Sequence, residues 1–175
     1  MSQGACSDRQ IFMVGLGGQG ILLLARALAE WAAATGREVI SSETHGMAMR
    51  GGTVTASLKI GRYAGPLIPP GAADVLIGLD EHEALSHLPM LRKDGVSIVN
   101  TAVDTGNFSH VVDAAGIARS LGAPGAVNMI VLGCTAQVLG IDRAEIEKIV
   151  KRVSPAKAKK ANLKALQAGF DALVP

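Results

Sequence analysis

Apolar positions along the chain follow two rhythms. Ile11, Phe12, Met13 and Val14 form an unbroken apolar run that stops at Gly15, the pattern of a short strand buried on both faces. Beyond a glycine-rich stretch, Ile21, Leu24, Leu28 and Trp31 recur at helical spacing. Ala25, Ala29 and Ala32 keep the sides of that helix slim, and Gly36 suits its C-terminal cap. Residues 37–42 predict a second strand. Strand, glycine turn, helix and strand in succession make a βαβ unit, the start of a parallel sheet. Residues 43–52 predict a loop. From 53 to 60 the chain alternates strictly, with Val54, Ala56, Leu58 and Ile60 against Thr53, Thr55, Ser57 and Lys59. This predicts a half-exposed strand, antiparallel at the sheet edge.

After a turn marked by Pro66, Pro69, Pro70 and Gly71, residues 74–79 predict a third buried strand with Asp80 at its exit. Residues 81–91 predict a helix, 95–99 a strand and 101–107 a loop. Residues 111–121 predict a short strand, then a helix ending at Gly122. The stretch 128–139 is almost wholly apolar, so its helix is expected to be buried. Asp142 fits an N-cap for a helix over 143–153, and Ser154-Pro155 opens a last helix with proline in its first turn. The expected fold class is α/β: one domain over residues 1–175, with a mostly parallel Rossmann-like sheet flanked by helices and C-terminal helices closing it.

Composition narrows the function. The hydrophobic share of 49% is enough for burial to offset the ordering of 175 residues. A net charge of +2 and an aromatic share of 3% argue against nucleic acid as partner. Cys6 and Cys134 are the only cysteines, so the chain has no CxxC and no ligand set for an iron–sulfur cluster or structural zinc. Reduced thiols in a cytoplasmic setting are expected. The opening MSQGACSDRQ has no apolar signal segment. The apolar stretch 21–34 is broken by Arg26 and Glu30 and falls short of the about 20 residues a membrane span needs, so no membrane partner is expected.

The chemistry concentrates in Gly15-Leu-Gly17-Gly18-Gln19-Gly20, which fits the GxGxxG dinucleotide pattern between strand and helix. In that pattern Gly15 allows the tight turn, Gly17 a pyrophosphate's approach to the backbone, and Gly20 the packing of helix on strand, while N–H groups at the helix start face an anion. Glu43, at the end of the second strand, stands where a ribose-binding acid belongs. A nicotinamide dinucleotide therefore remains one reading. Another is a module binding coenzyme A or a nucleotide, and the plainest is a turn that only lets helix meet strand. Downstream, Arg50-Gly51-Gly52 offers a guanidinium on flexible backbone for a carboxylate, a phosphate or a partner chain. His45 lies in the same segment. His82 and His87 are five apart and do not share a helical face, so no metal site is expected. Asp74 and Asp80 bracket a strand. Between Lys148 and Lys164 stand seven basic residues and no acidic one; a solvated helix surface accounts for them, as does a docking patch for an acidic partner.

These motifs together resemble a known family. IFMVGLGGQGILLLARALA, the RGG segment leading into a strand, and ADVLIGLD are similar to the gamma domain of 2-oxoacid:ferredoxin oxidoreductases. THGMAMRGGTV resembles the indolepyruvate branch in particular. NMIVLGCTAQVLG and KKANLKALQAGF resemble that family's closing helices. Met49 departs from the Gln this branch commonly places before the arginine, which bears on the substrate.

The resemblance implies oxidative decarboxylation of a 2-oxoacid such as indolepyruvate on thiamine diphosphate. Electrons pass through iron–sulfur clusters to ferredoxin, and coenzyme A takes the acyl group. With two cysteines and no GDG…NN pattern, this chain is expected to bind no cofactor alone and to hold no catalytic residue. Thiamine diphosphate, magnesium and the clusters then belong to a large alpha subunit. What the resemblance leaves to this chain is an anion or coenzyme A site, or the active-site entrance, built from Gly15, Gly17, Gly18, Gln19, Gly20, His45, Arg50, Gly51 and Gly52.

Overall fold

Strand β1 (Arg9–Leu16) is buried on both sides because its run of apolar residues feeds two cores: Ile11 and Met13 point into one, Phe12 and Val14 into the other. Around it, a computed structural model describes residues 8–45 and 51–173. Helix α1 (Ile21–Ala34) follows, then β2 (Val39–His45), β3 (Thr53–Ile60) and β4 (Ala73–Gly78). Next come α2 (Glu81–Ser86), β5 (Leu91–Asn100), β6 (His110–Val112) and α3 (Ala114–Ser120). The chain closes with α4 (Val127–Leu139), α5 (Arg143–Val153) and α6 (Lys159–Ala172). The strands form one six-stranded sheet in the order β2-β3-β1-β4-β5-β6. Strand β3 runs antiparallel to both its neighbours, and the β1–β4, β4–β5 and β5–β6 pairings are parallel. The α/β class, the mostly parallel sheet and the C-terminal helices are as the sequence predicts.

The main correction concerns β3. It is not an edge strand; it lies between β1 and β2, and β2 takes the edge. The alternation from Thr53 to Ile60 identifies faces correctly, since Ala56, Leu58 and Ile60 enter the larger core. A face pattern says nothing about which strands lie alongside. Pairing with β3 also carries β2 as far as His45, opposite Val54, so Glu43, Thr44 and His45 are strand where a loop was expected.

Smaller departures have local causes. The helix expected over 81–91 stops at Ser86, because Pro89 lacks an N–H and its ring restricts Leu88; a single 3₁₀ turn at Leu88–Met90 leads into β5. Ser154 is extended, and a separate turn with Ala158 N–H donating to the Pro155 carbonyl precedes α6, which starts at Lys159.

Helices α1, α3, α4, α5 and α6 cover one face of the sheet; α2 lies on the other. Helix α4 is apolar all round because it is enclosed, with every residue from Asn128 to Ala136 buried. Its contact with α6 is backbone on backbone. A Cβ on Gly133 would strike the Leu166 carbonyl, and one on Gly169 the Ile130 carbonyl. Gly133 and Gly169 thus face each other at the crossing, and Arg143, just past the end of α4, pairs with Asp171 at the end of α6 at 2.6 Å, so α4 and α6 run in the same direction.

Candidate functional site

The connections leaving β1 and β4 go opposite ways: α1 crosses one face of the sheet toward β2, and α2 the other face toward β5. That divergence opens a crevice at the carboxyl ends of β1 and β4, the position where open α/β sheets bind ligands. The GGQG turn sits on it, and the structure assigns each residue a definite job. The Gln19 side chain folds back so that its Oε1 accepts from Leu16 N at 2.7 Å, while Gln19 N donates to the Leu16 carbonyl at 3.1 Å. Gly15 exists to admit that side chain: a Cβ there would lie 2.6 Å from Gln19 Oε1 and 3.1 Å from Leu79 Cβ. Gly20 has φ of 85° and caps α1 without a side chain. Asn128, 4% exposed on the first turn of α4, lies against its α-carbon and donates to its carbonyl at 3.1 Å. Gly20 thus packs the start of α1 against α4 rather than against a strand.

Gly17 also differs from the dinucleotide pattern. Its N–H donates to the Gly52 carbonyl at 2.9 Å, and its α-carbon faces the backbone of Gly51 and Gly52. The two glycine segments, distant in sequence, are therefore one structure. What remains free to receive an anion is the exposed Gly18, with open space where its Cβ would be, and the start of α1, whose first turn carries no acidic residue. Unpaired N–H groups and the positive end of the helix dipole favour negative charge there. Beside the crevice, Asn100 ties β4, β5 and α3 together, donating to the Leu79 carbonyl at 3.0 Å and accepting from Ala115 N at 3.1 Å.

The structure brings together Gly15, Gly17, Gly18, Gln19, Gly20, Gly51 and Gly52. It places the His45 backbone at the end of β2, paired with Val54. Arg50 and Cys6 lie outside the described residues. Asn128 and Asn100 are additions; a lone asparagine heading an apolar run was the signal available for the first. Glu43 is exposed in mid-strand on β2, paired with Ala56, and β3 separates it from β1. Each strand adds about 4.8 Å, so the acid lies one strand too far for the ribose of a dinucleotide on the β1 turn.

Other polar candidates have structural tasks. Asp80 caps α2, accepting from His82 N and Glu83 N. Asp74 accepts from Gln10 N at 2.7 Å and pairs with Arg92 at 2.6 Å. His87 stacks on Phe12 with ring centroids 5.6 Å apart. Burial pushes the Cys134 thiol up to about 12, so it stays protonated at neutral pH. No cluster of three or more metal-ligating side chains occurs among the described residues, and no helix there is long and apolar enough to cross a membrane.

Comparison with known proteins agrees with this geometry. The family model described as pyruvate ferredoxin/flavodoxin oxidoreductase matches residues 10–172. The chain is 33% identical to the indolepyruvate oxidoreductase subunit IorB of Archaeoglobus fulgidus, over 92% of this chain and 93% of the relative. It superposes with a TM-score of 0.78 on the pyruvate oxidoreductase subunit PORC of Thermotoga maritima, at 30% identity over 94% of this chain and 96% of that one. The fold also recurs in 2-oxoglutarate:ferredoxin oxidoreductase of Magnetococcus marinus, solved with 2-oxoglutarate, coenzyme A and succinyl-CoA bound. There the TM-score is 0.77 at 18% identity, over 95% of this chain and 32% of that longer one.

Proposed function

Because the chain belongs to the pyruvate ferredoxin/flavodoxin oxidoreductase family, we propose that it is the small subunit of a cytoplasmic indolepyruvate or aryl-pyruvate:ferredoxin oxidoreductase, acting as one unit over residues 1–175. The complete enzyme decarboxylates the 2-oxoacid oxidatively, passes the electrons to ferredoxin and transfers the acyl group to coenzyme A. This chain's cysteines do not fit an iron–sulfur cluster. Of its two cysteines, Cys134 is buried with its thiol pushed up to about 12, and thiolate is the ligand form. In this reading thiamine diphosphate, magnesium and the clusters belong to a larger partner subunit.

The observation that carries the reading is the hydrogen bond from Gly17 N–H to the Gly52 carbonyl. It fuses the GGQG turn with the RGG segment into one anion-receiving edge. Backbone N–H groups at Gly18 and the start of α1 are oriented for a phosphate of coenzyme A or a substrate carboxylate. Arg50, next to Gly51, supplies a guanidinium for the same anion or for the partner, and His45 closes the end of β2 nearby. The position of Glu43 disfavours a nicotinamide cofactor. A second substrate reading, pyruvate, is favoured by the PORC structure, whose identity to this chain is close to that of the IorB relative.

The test is co-production with a thiamine- and cluster-bearing large subunit. Turnover is expected only from the pair, with indolepyruvate preferred to pyruvate. Arg50→Ala is expected to raise the KM for coenzyme A or weaken assembly. Turnover by the isolated chain, or tight binding of NAD(P)H to it in calorimetry, overturns the reading.

A further inference from the structure

The basic residues between Lys148 and Lys164 take no part in the site above. The Gly133–Gly169 crossing and the Arg143–Asp171 pair set α6 parallel to α4. The start of α6 therefore lies toward the start of α4. The basic corner sits where α5 turns into α6. It is rigid: Ser154 and Asn162 are buried, and Asn162 Nδ2 donates to Ser154 Oγ at 2.9 Å, tying the α5–α6 connection to the body of α6.

All seven basic side chains are exposed. Arg152 is held by Glu30 at 2.8 Å, and Lys151 approaches Glu147 at 4.0 Å. Lys148, Lys157, Lys159, Lys160 and Lys164 have no acidic partner among the described residues. Two of them oppose the stability of their own helix. Lys159 and Lys160 occupy the first turn of α6, which has no acidic residue and no side-chain cap, and cations there work against the helix dipole. Folding gains nothing from this arrangement, whereas an approaching anionic surface meets both the ammonium groups and the positive helix end.

We propose that the α5–α6 corner is a docking surface for an acidic protein, engaged transiently. In the assembly proposed above, on which this inference rests, that protein is the small electron carrier. Two observations favour a transient contact. Among the described residues, the large exposed apolar ones are Leu22, Leu67, Leu85 and Val103, none of them in the corner, and permanent subunit interfaces are apolar and poor in lysine. The rest of the chain, with fifteen acidic residues against ten basic ones, is net negative. A long polyanion laid across it is repelled, whereas a compact acidic protein touches the corner alone.

The experiment uses the assembled complex carrying Lys157→Glu, Lys159→Glu, Lys160→Glu and Lys164→Glu together. Reduction of a purified acidic ferredoxin is followed against ionic strength, with methyl viologen as a small acceptor for comparison. The KM for ferredoxin is expected to rise by about ten-fold at low salt with kcat preserved, and the salt dependence of the wild type to flatten. Viologen reduction and co-purification with the large subunit are expected to be unchanged. Four outcomes overturn the proposal while leaving the functional reading standing. These are an unchanged ferredoxin KM, loss of the large subunit, equal loss of viologen activity, or wild-type binding to duplex DNA or anionic vesicles at physiological salt that the variant lacks. A wild-type complex inactive with either acceptor overturns the functional reading, and this proposal with it.

Discussion

The glycine-rich edge of the sheet and the basic corner of the last helices are built from different materials. At the carboxyl end, backbone meets backbone: Gly15, Gly17, Gly20, Gly51 and Gly52 bring main-chain atoms and two side-chain amides into direct contact. At the α5–α6 corner, charge sits on the tips of long, exposed side chains. The first arrangement is stiff and intolerant of added atoms. The second is tolerant of substitution and sensitive to salt. A glycine-built surface holds a ligand group by shape, whereas a lysine-built surface draws in a partner and releases it.

The contrast breaks most severely at the α4–α6 crossing. Gly169→Ala places a methyl group against the Ile130 carbonyl, where neither backbone has room to give. A loss of about 3 kcal/mol is expected, read as a lowered urea midpoint. Gly20→Ala comes next. It combines a left-handed backbone with a clash against Asn128, and about 2 kcal/mol is expected. Pairing it with Asn128→Ala relieves the clash and not the backbone strain, so the double variant is expected to recover only part of the loss in a thermodynamic cycle.

A smaller effect follows from Cys134, whose Sγ lies 3.2 Å from the Gly169 carbonyl inside that crossing. Burial raises its thiol from 9.0 to about 12, so the folded chain keeps a proton that the unfolded chain releases. Stability from this group is complete below pH 9 and declines as pH rises toward 12. In a Cys6→Ser chain, iodoacetamide labelling of Cys134 at neutral pH is expected only at the rate of unfolding, and rapid labelling of the native chain contradicts this burial. The smallest change sharpens the other side. Lys159→Glu with Lys160→Glu aligns the first turn of α6 with its dipole, raising stability by about 0.5 kcal/mol for each substitution in thermal melts. A melt left lower shows that the lysines stabilise the fold.

What the sequence reveals of this contrast depends on distance along the chain. The spacing of Ile21, Leu24, Leu28 and Trp31 marks the buried face of α1 correctly, because helical periodicity is local. Asp142 as a cap and α4 as an enclosed helix are legible for the same reason. The insertion of β3 between β1 and β2 is not, since alternation records which face a residue takes and never which strand lies alongside. In the site, the GGQG turn is visible as a motif, but the reasons for its glycines are distant. Gly20 answers to Asn128 and Gly17 to Gly52, as, outside the site, Gly169 answers to Ile130. No pattern in one sequence pairs such residues; only the folded chain does.

The bond between Gly17 and Gly52 has a practical consequence. Its donor is a single amide proton, shielded from solvent exchange for as long as the two segments stay joined. The deuterium uptake of that one position is therefore a gauge of whether the glycine edge is closed, readable by mass spectrometry or NMR without label or substrate. Followed before and after a companion subunit is added, it separates a surface that arrives ready-made from one that sets only upon contact.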